Sequence, residues 1–182
     1  MLIDLHTHTQ PLSHDSALTP DQLIEAAKAA GLDAVCLTEH DFTWDPEEAR
    51  ELARRHSFTV IPAIEVNTDD GHFIAFGLDR YVYGMHRTAE LARLVDEAGG
   101  ALVAAHPYRR QLPFELRDEG DWTEPLERAV ANPASDAHQR SDVGRYATAF
   151  QRDIAHVPDL VRELKAGRFQ PRLRASRRAD LR

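Results

Sequence analysis

The chain has 182 residues, of which 42% are hydrophobic and 29% charged, and its formal net charge at pH 7 is −8. This composition indicates one globular domain with a sizeable core, and the negative charge argues against a protein that coats nucleic acid. The sequence has no apolar run of about 18 residues and no basic, apolar leader, so we expect a cytoplasmic protein that does not cross a membrane. The one cysteine, Cys36, excludes an internal disulfide and lies in an apolar strand, where we expect a buried thiol and not a nucleophile.

The first predicted strand begins at Leu2 and ends in the pair His6 and His8. Side chains two residues apart on a strand point to the same face, so both imidazoles can reach into one pocket. Imidazole suits zinc, iron and nickel. A lone His-x-His pair is more often a pair of surface residues, so a metal site requires further ligand-type residues later in the chain.

Helix signals and strand signals then alternate. Thr19, Pro20 and Gln22 form a helix start with a capping box, and Gly31 ends that helix. A strand over 33–38 comes next, and this strand–helix–strand order predicts a right-handed unit with parallel strands.

The second half of the pattern adds a hairpin and further helices. Asp45 and Pro46 start a helix that runs to about 56, and a third strand covers 58–66. The turn at 69–71 predicts that residues 72–78 return as a hairpin partner. We further expect a helix over 88–98, a strand over 101–105, a short helix over 123–131 and a final helix over about 157–166.

Five strand-like runs end in residues that can bind a metal ion. These ends are His6 and His8, Glu39 with His40, Glu65, His106, and Asp136 with His138. The carboxyl ends of parallel strands meet at one face of a sheet or barrel, and that face is where sites are built. Five such ends in series indicate a metal centre.

Six segments in order resemble the PHP (polymerase and histidinol phosphatase) superfamily of metal-dependent phosphoesterases. They are DLHTHT at 4–9, LTEHD at 37–41, PAIEV at 62–66, GHFIAFGL at 71–78, AHPYR at 105–109 and SDAH at 135–138. The resemblance implies an α/β fold, a distorted β/α (TIM-like) barrel with a metal site at the C-terminal strand ends. We expect this domain over 1–168 and a disordered basic tail over 169–182. No apolar strand is evident between His106 and Ser135, so one β/α unit is expected to be missing there.

The resemblance also implies two or three divalent metal ions, with zinc, manganese or iron as candidates. Its ligand sets are His6, His8, Glu65 and Asp136 for the first ion, Glu65, His72 and His106 for the second, and His40 and His138 with Asp15 or His14 for the third. Glu65 would bridge the first two ions, because the two oxygens of a carboxylate can each bind a separate cation.

The activity that the resemblance implies is hydrolysis of a phosphate ester by a hydroxide that bridges the metal ions. The expected catalytic residues are Glu65, His106, Arg109 and Glu39. Arg109 would grip a phosphate oxygen, although a plain surface arginine is an equally good interpretation. Glu39 would orient a metal ligand from behind.

The expected substrate is a small phosphorylated metabolite or a nucleotide. Two alternatives stay open: an exonuclease that binds short oligonucleotides through its basic tail, and a metal-binding module that lost activity with the missing unit. A barrel opened in this way would expose strand edges, and a homodimer is one arrangement that would cover them.

Overall fold

The computed structural model describes residues 1–106, 130–131 and 134–173. The strands within this part are Leu2–Thr7 (β1), Ala34–His40 (β2), Thr59–Thr68 (β3), Gly71–Phe76 (β4), Ala101–Ala104 (β5), Val130–Ala131 (β6), Tyr146–Phe150 (β7) and Phe169–Leu173 (β8). The helices are Pro20–Ala29 (α1), Pro46–His56 (α2), Thr88–Glu97 (α3) and Val157–Lys165 (α4). The predicted α/β class is confirmed.

All of these strands belong to one sheet, in the order β6-β5-β4-β3-β2-β1-β7-β8. Neighbours β1, β2 and β3 run parallel, and β5 runs in the same direction because β4 pairs antiparallel with both β3 and β5. The carboxyl ends of these four parallel strands therefore lie along one edge. The predicted hairpin over β3 and β4 is confirmed, with Thr68 paired to Gly71 at its tip.

The helix starts form as their capping residues predict. The Thr19 hydroxyl accepts a hydrogen bond from the amide of Gln22, whose side chain in turn bonds the backbone of Thr19. The Asp45 carboxylate accepts from the amides of Glu47 and Glu48. Such contacts satisfy amides that have no partner inside the helix.

The first strand contains a register shift that matters for the site. Asp4 pairs with Val35, whereas Thr7 pairs with Leu37, so β1 has one residue more than β2 over this interval. An extra residue of this kind is a β-bulge, and it exchanges the two faces of the strand beyond it. The His-x-His pair is thereby turned to the face that carries the buried isoleucine and leucine of the same strand.

Helices α1, α2 and α3 cover one face of the sheet and α4 the other. On β3, Val60 and Ile64 pack in the clusters of the first three helices, whereas Ile61 and Ala63 pack in the cluster that contains α4. Glu65 lies on the same face of β3 as Ile61 and Ala63. The hydrophobic cluster on this face, which includes α4, contains residues from six strands, so the sheet curls around it into an open, distorted barrel.

Before Ser135, the structure contradicts the helix expected to end at 131 and the expected lack of a strand, whereas the missing β/α unit stays a prediction because 107–129 lie outside the described residues. Val130–Ala131 was expected to end a helix and instead forms β6, parallel to β5. A strand therefore does lie between His106 and Ser135, although it has only two residues, too few to be recognised from an apolar pattern. The remainder of that expected helix, 123–129, lies outside the described residues.

The end of the chain also differs from the expectation. Neither β7 nor β8 was predicted, and β8 takes up the first five residues of the segment expected to be a disordered tail. It pairs antiparallel with β7, with the rings of Phe150 and Phe169 6.1 Å apart. Long-range pairing decides such a polar edge strand, so its own composition gives little signal. Among the described residues, no helix is both long and apolar enough to span a membrane.

Candidate metal centre

Glu65, at the carboxyl end of β3, is the residue around which the candidate site is arranged. Its side chain is 0% exposed, and both of its oxygens contact imidazole nitrogens. The contacts come from His6 (3.2 Å), His8 (3.2 Å), His40 (2.9 Å), His72 (3.1 Å) and His106 (3.3 Å). Oε1 faces the rings of His6, His72 and His106, and Oε2 faces those of His8 and His40. The carboxylate thus lies between two groups of nitrogen donors.

Asp136 comes from a segment that lies beside the end of β1. The amide of His8 donates to the carbonyl of Ala137 over 3.0 Å, which holds the segment there. Oδ1 of Asp136 lies 3.5 Å from Nε2 of His6 and 3.4 Å from Nε2 of His8. The φ angle is +49° at Asp136 and +33° at His106, a left-handed conformation that costs energy outside glycine and is common at functional sites.

Asp15 closes the site on its open side. Its side chain is 57% exposed, and Oδ2 lies 3.3 Å from Nε2 of His40 and 3.1 Å from Nε2 of His138. His14, the alternative to Asp15, is also exposed, and neither residue belongs to the ligand groups that the described residues form, so the contacts of Asp15 with His40 and His138 distinguish the two. The structure therefore brings Asp15, and not His14, to the predicted third set.

Three groups of side chains have ligand atoms that all lie within 4.8 Å of one another. The groups are His6, His8 and Asp136; Glu65, His72 and His106; and His8, His40 and His138. The second group has the composition of the predicted second set, the first contains the predicted residues except Glu65, and the third contains His8 where Asp15 or His14 was expected. All nine predicted ligands are thus close together, while their binding of metal stays a prediction.

The atoms left without hydrogen bonds fit a divalent cation. Among the described residues, Nδ1 of His40 and Oε2 of Glu65 are buried and lack a hydrogen bond, although they lie 2.9 Å apart. Nε2 of His6 and Nε2 of His8 lie 2.9 Å apart, a distance that allows a hydrogen bond between them. Buried polar atoms without partners are costly, and a cation shared between them removes that cost. Imidazole nitrogens with carboxylate oxygens suit zinc, iron and manganese.

The ionisation of these groups depends on one another. Burial acts to lower the pKa of His8, but its contacts with the Asp136 and Glu65 carboxylates outweigh burial and raise the pKa to about 9. Burial acts to raise the pKa of Glu65, yet the attraction of His6 and the contacts of the neighbouring histidines hold it well below its usual range. For His6, burial prevails and lowers the pKa. A negative charge is thus kept at the centre, where cations would bind.

Glu39 lies behind the ligands and contacts none of them directly. Its buried carboxylate accepts hydrogen bonds from the amide (2.9 Å) and hydroxyl of Thr9, from the hydroxyl of Ser13, and from Nε1 of Trp44 (2.9 Å). Oγ of Ser13 lies 3.2 Å from Nδ1 of His8. Because Ser13 donates to Glu39, it accepts from Nδ1 of His8, which leaves Nε2 of His8 available to a metal ion.

Two buried residues at this site, Ser13 and Asp4, are not predicted by any pattern in the sequence. Ser13 carries no recognisable signal, since a serine five residues after a histidine fits no motif. Asp4 is part of DLHTHT, but the motif indicated no role for it. It bonds to Ser135 and Gly144, and although those hydrogen bonds act to lower its pKa, burial outweighs them and raises the pKa to about 6.

Two other predicted features have different outcomes. Arg109 lies outside the described residues, so its contact with phosphate stays a prediction. Cys36 is buried in β2, and burial raises the pKa of its thiol well above the ordinary value. A protonated thiol in the core is a poor nucleophile, as its place in an apolar strand predicts.

Family models match most of the chain. Residues 4–119 match the model of the PHP domain, and residues 133–169 match a second model described as PHP-associated. The two matches together include every candidate ligand described above.

Known proteins with similar sequences cover smaller parts. An uncharacterized protein of Methanocaldococcus jannaschii is 26% identical over 117 residues, which are 59% of this chain and 68% of that protein. A 3′,5′-nucleoside bisphosphate phosphatase of Chromobacterium violaceum is 35% identical over 81 residues, 42% of this chain. The match spans only 28% of the phosphatase.

A solved structure supports the fold. A two-domain protein of Bacteroides vulgatus, which contains a predicted PHP-like metal-dependent phosphoesterase, superposes with a TM-score of 0.63 at 17% identity. The superposition covers 95% of this chain and 64% of that one, so the chain spans under two thirds of its structural relative. At this identity the likeness concerns the fold.

Proposed function

The chain belongs to the PHP domain family, and from that premise we propose that it is a metal-dependent hydrolase of phosphate esters. The observation that supports this most directly is the contact of the buried Glu65 carboxylate with five imidazoles, three at one oxygen and two at the other. A carboxylate with nitrogen donors on both sides can hold two cations close together, as two-metal hydrolytic sites require.

We assign the ligands by the groups that the geometry forms. His6, His8 and Asp136 would hold one ion and His72 and His106 a second, with Glu65 shared between them. His40 and His138, with Asp15 at their exposed side, would complete a third position. Divalent ions bound there would supply Lewis-acid charge and lower the pKa of water beside the ester.

The exposure of the ligands indicates where a substrate would approach. His6, His8 and Glu65 are 0% exposed, whereas His40, His72 and His138 are partly exposed and Asp15 is mostly exposed. The ester would therefore enter from the side of the exposed group, and the buried group would remain dry behind it. A dry floor strengthens electrostatic attraction for a phosphate charge.

The substrate class we propose is a small phosphorylated metabolite or a nucleotide. The similarity to the nucleoside bisphosphate phosphatase supports this class, although the match spans a minor part of that enzyme. The predicted grip of Arg109 on a phosphate oxygen belongs to the same proposal.

The test is elemental analysis of the purified protein together with phosphate release on the same sample. The panel contains nucleoside mono- and bisphosphates, sugar phosphates, cyclic phosphates and short oligonucleotides, each with and without a chelator. We expect two or three equivalents of metal and turnover of at least one ester, lost on chelation and restored by the metal. Bound metal without turnover on any ester would contradict the hydrolase and favour a metal-binding module.

A further inference from the structure

Asp4 is a fully buried carboxylate whose described hydrogen-bond partners are all uncharged donors. Oδ1 accepts from the amides of His6 and Ser135, each over 3.4 Å. Oδ2 accepts from the hydroxyl of Ser135 and, over 2.9 Å, from the amide of Gly144. One side chain thereby joins three separate segments of the chain.

A carboxylate is the side chain that these four donors require. An ionised carboxylate only accepts hydrogen bonds, whereas an amide of the same shape would present an NH₂ group to one pair of donors. Burying a carboxylate without a cationic partner is nevertheless unfavourable. The three segments that Asp4 joins lie at the candidate metal centre, which gives a reason for a buried carboxylate at this position.

The segment held through Ser135 is the one that carries Asp136 and His138. Its backbone pairs with β1 at one bridge, between Thr7 and Ala137, and the Ser135 hydroxyl lies 3.4 Å from the carbonyl oxygen of His6, so the sheet holds this segment less firmly than it holds β2 or β3. Ser135 immediately precedes Asp136, and both its amide and its hydroxyl bond to Asp4. Fixing Ser135 therefore fixes where the Asp136 side chain starts.

The hydrogen bond from the amide of His6 to Asp4 affects the strand that carries His6 and His8. This amide lies in the interval where the register of β1 shifts by one residue, and a bulge leaves backbone groups outside the ladder. By accepting from that amide, Asp4 supports the turn of the strand that points His6 and His8 at Asp136. Both sides of one candidate ligand group are thus tied to one carboxylate.

We propose that Asp4 is a positioning residue of the metal centre, which through Ser135 sets the place of Asp136 relative to His6 and His8. Asp4 bonds to none of the ligand atoms and takes no part in the reaction itself. The proposal rests on the proposed function only in requiring that the histidine–carboxylate cluster binds a divalent metal.

The test compares Asp4→Asn and Ser135→Ala with two matched controls. Ser141→Ala removes an exposed serine hydroxyl of the same segment, and Glu163→Gln neutralises a buried carboxylate that lies outside the site. For each protein, Co²⁺ affinity is measured by competition with a chromogenic chelator, and the visible spectrum of bound Co²⁺ and the Tm are recorded.

We expect Asp4→Asn and Ser135→Ala to weaken Co²⁺ binding at one class of site by about 10- to 100-fold, the usual effect of losing a group behind a ligand. The Co²⁺ spectrum should change with it, and the controls should stay within about twofold of the unmodified protein. If Asp4 only stabilises the fold, the Tm falls while affinity and spectrum stay the same, which overturns the proposal.

Other outcomes are equally decisive. If Asp4→Asn does not fold, Ser135→Ala decides, because it keeps the backbone and removes one hydroxyl. This test does not measure hydrolysis. A protein that binds Co²⁺ but hydrolyses no ester would therefore refute the proposed function and leave the test of Asp4 valid. An unmodified protein that binds no Co²⁺ overturns the positioning role as well.

Discussion

Replacing Glu65 by glutamine is the change with the largest expected effect, because it removes the one charge that five histidines share. The amide keeps a single oxygen, so either the group at Oε1 or the group at Oε2 faces an NH₂ in place of an acceptor. Breaking a buried charge pair costs about 3–5 kcal/mol. At 1.4 kcal/mol per tenfold, Glu65→Gln should weaken metal binding by about 100- to 4,000-fold.

The assay is metal competition on Glu65→Gln, with phosphate release measured at saturating metal. Glu163→Gln is the matched control, since it neutralises an equally buried carboxylate that pairs with Arg168. We expect the control to bind metal and turn over as the unmodified protein does. Metal affinity of Glu65→Gln within about tenfold of the unmodified protein would refute the central role of this carboxylate.

Three further predictions concern the surroundings of the site and the fold. Ser13→Ala removes the acceptor at Nδ1 of His8, and metal affinity should fall by about 10- to 100-fold in the same competition assay; an unchanged affinity would show that His8 needs no support from Glu39. Removing the metal with a chelator should lower the Tm, because a ligand at about 100 times its Kd stabilises the folded state by about 2.7 kcal/mol; an equal Tm with and without chelator would contradict metal binding in the folded protein. Hydrogen bonds from Arg168 hold the pKa of Glu163 below its usual range, so the pair stabilises the fold above the usual glutamate pKa of about 4.3 and loses this contribution as the pH falls through the lowered value. Glu163→Gln should therefore have a flatter decline of Tm between about pH 5 and pH 3, and a decline as steep as before would refute it.

The elements that local signals specify were predicted well. Capping residues such as Thr19 and Asp45 act on amides two or three residues away, so they mark helix starts without reference to the rest of the chain. The turn before Gly71 acts at equally short range. By contrast, β6 forms because it pairs with β5, and β8 forms because it pairs with β7. Two apolar residues, or a polar edge strand, give no sequence signal that identifies such a partner strand.

The sequence by itself determined which kinds of side chain would meet, because apolar strands that end in histidine or a carboxylate place these groups along one sheet edge. It did not determine how they meet. The one-residue shift in β1 turns the His-x-His pair inward, and loop packing selects Asp15 over His14. Asp4 meets Gly144 140 residues further along the chain. Such contacts depend on register and on packing between distant segments, and only the tertiary structure decides these, since periodicity along a strand carries information over a few residues at a time.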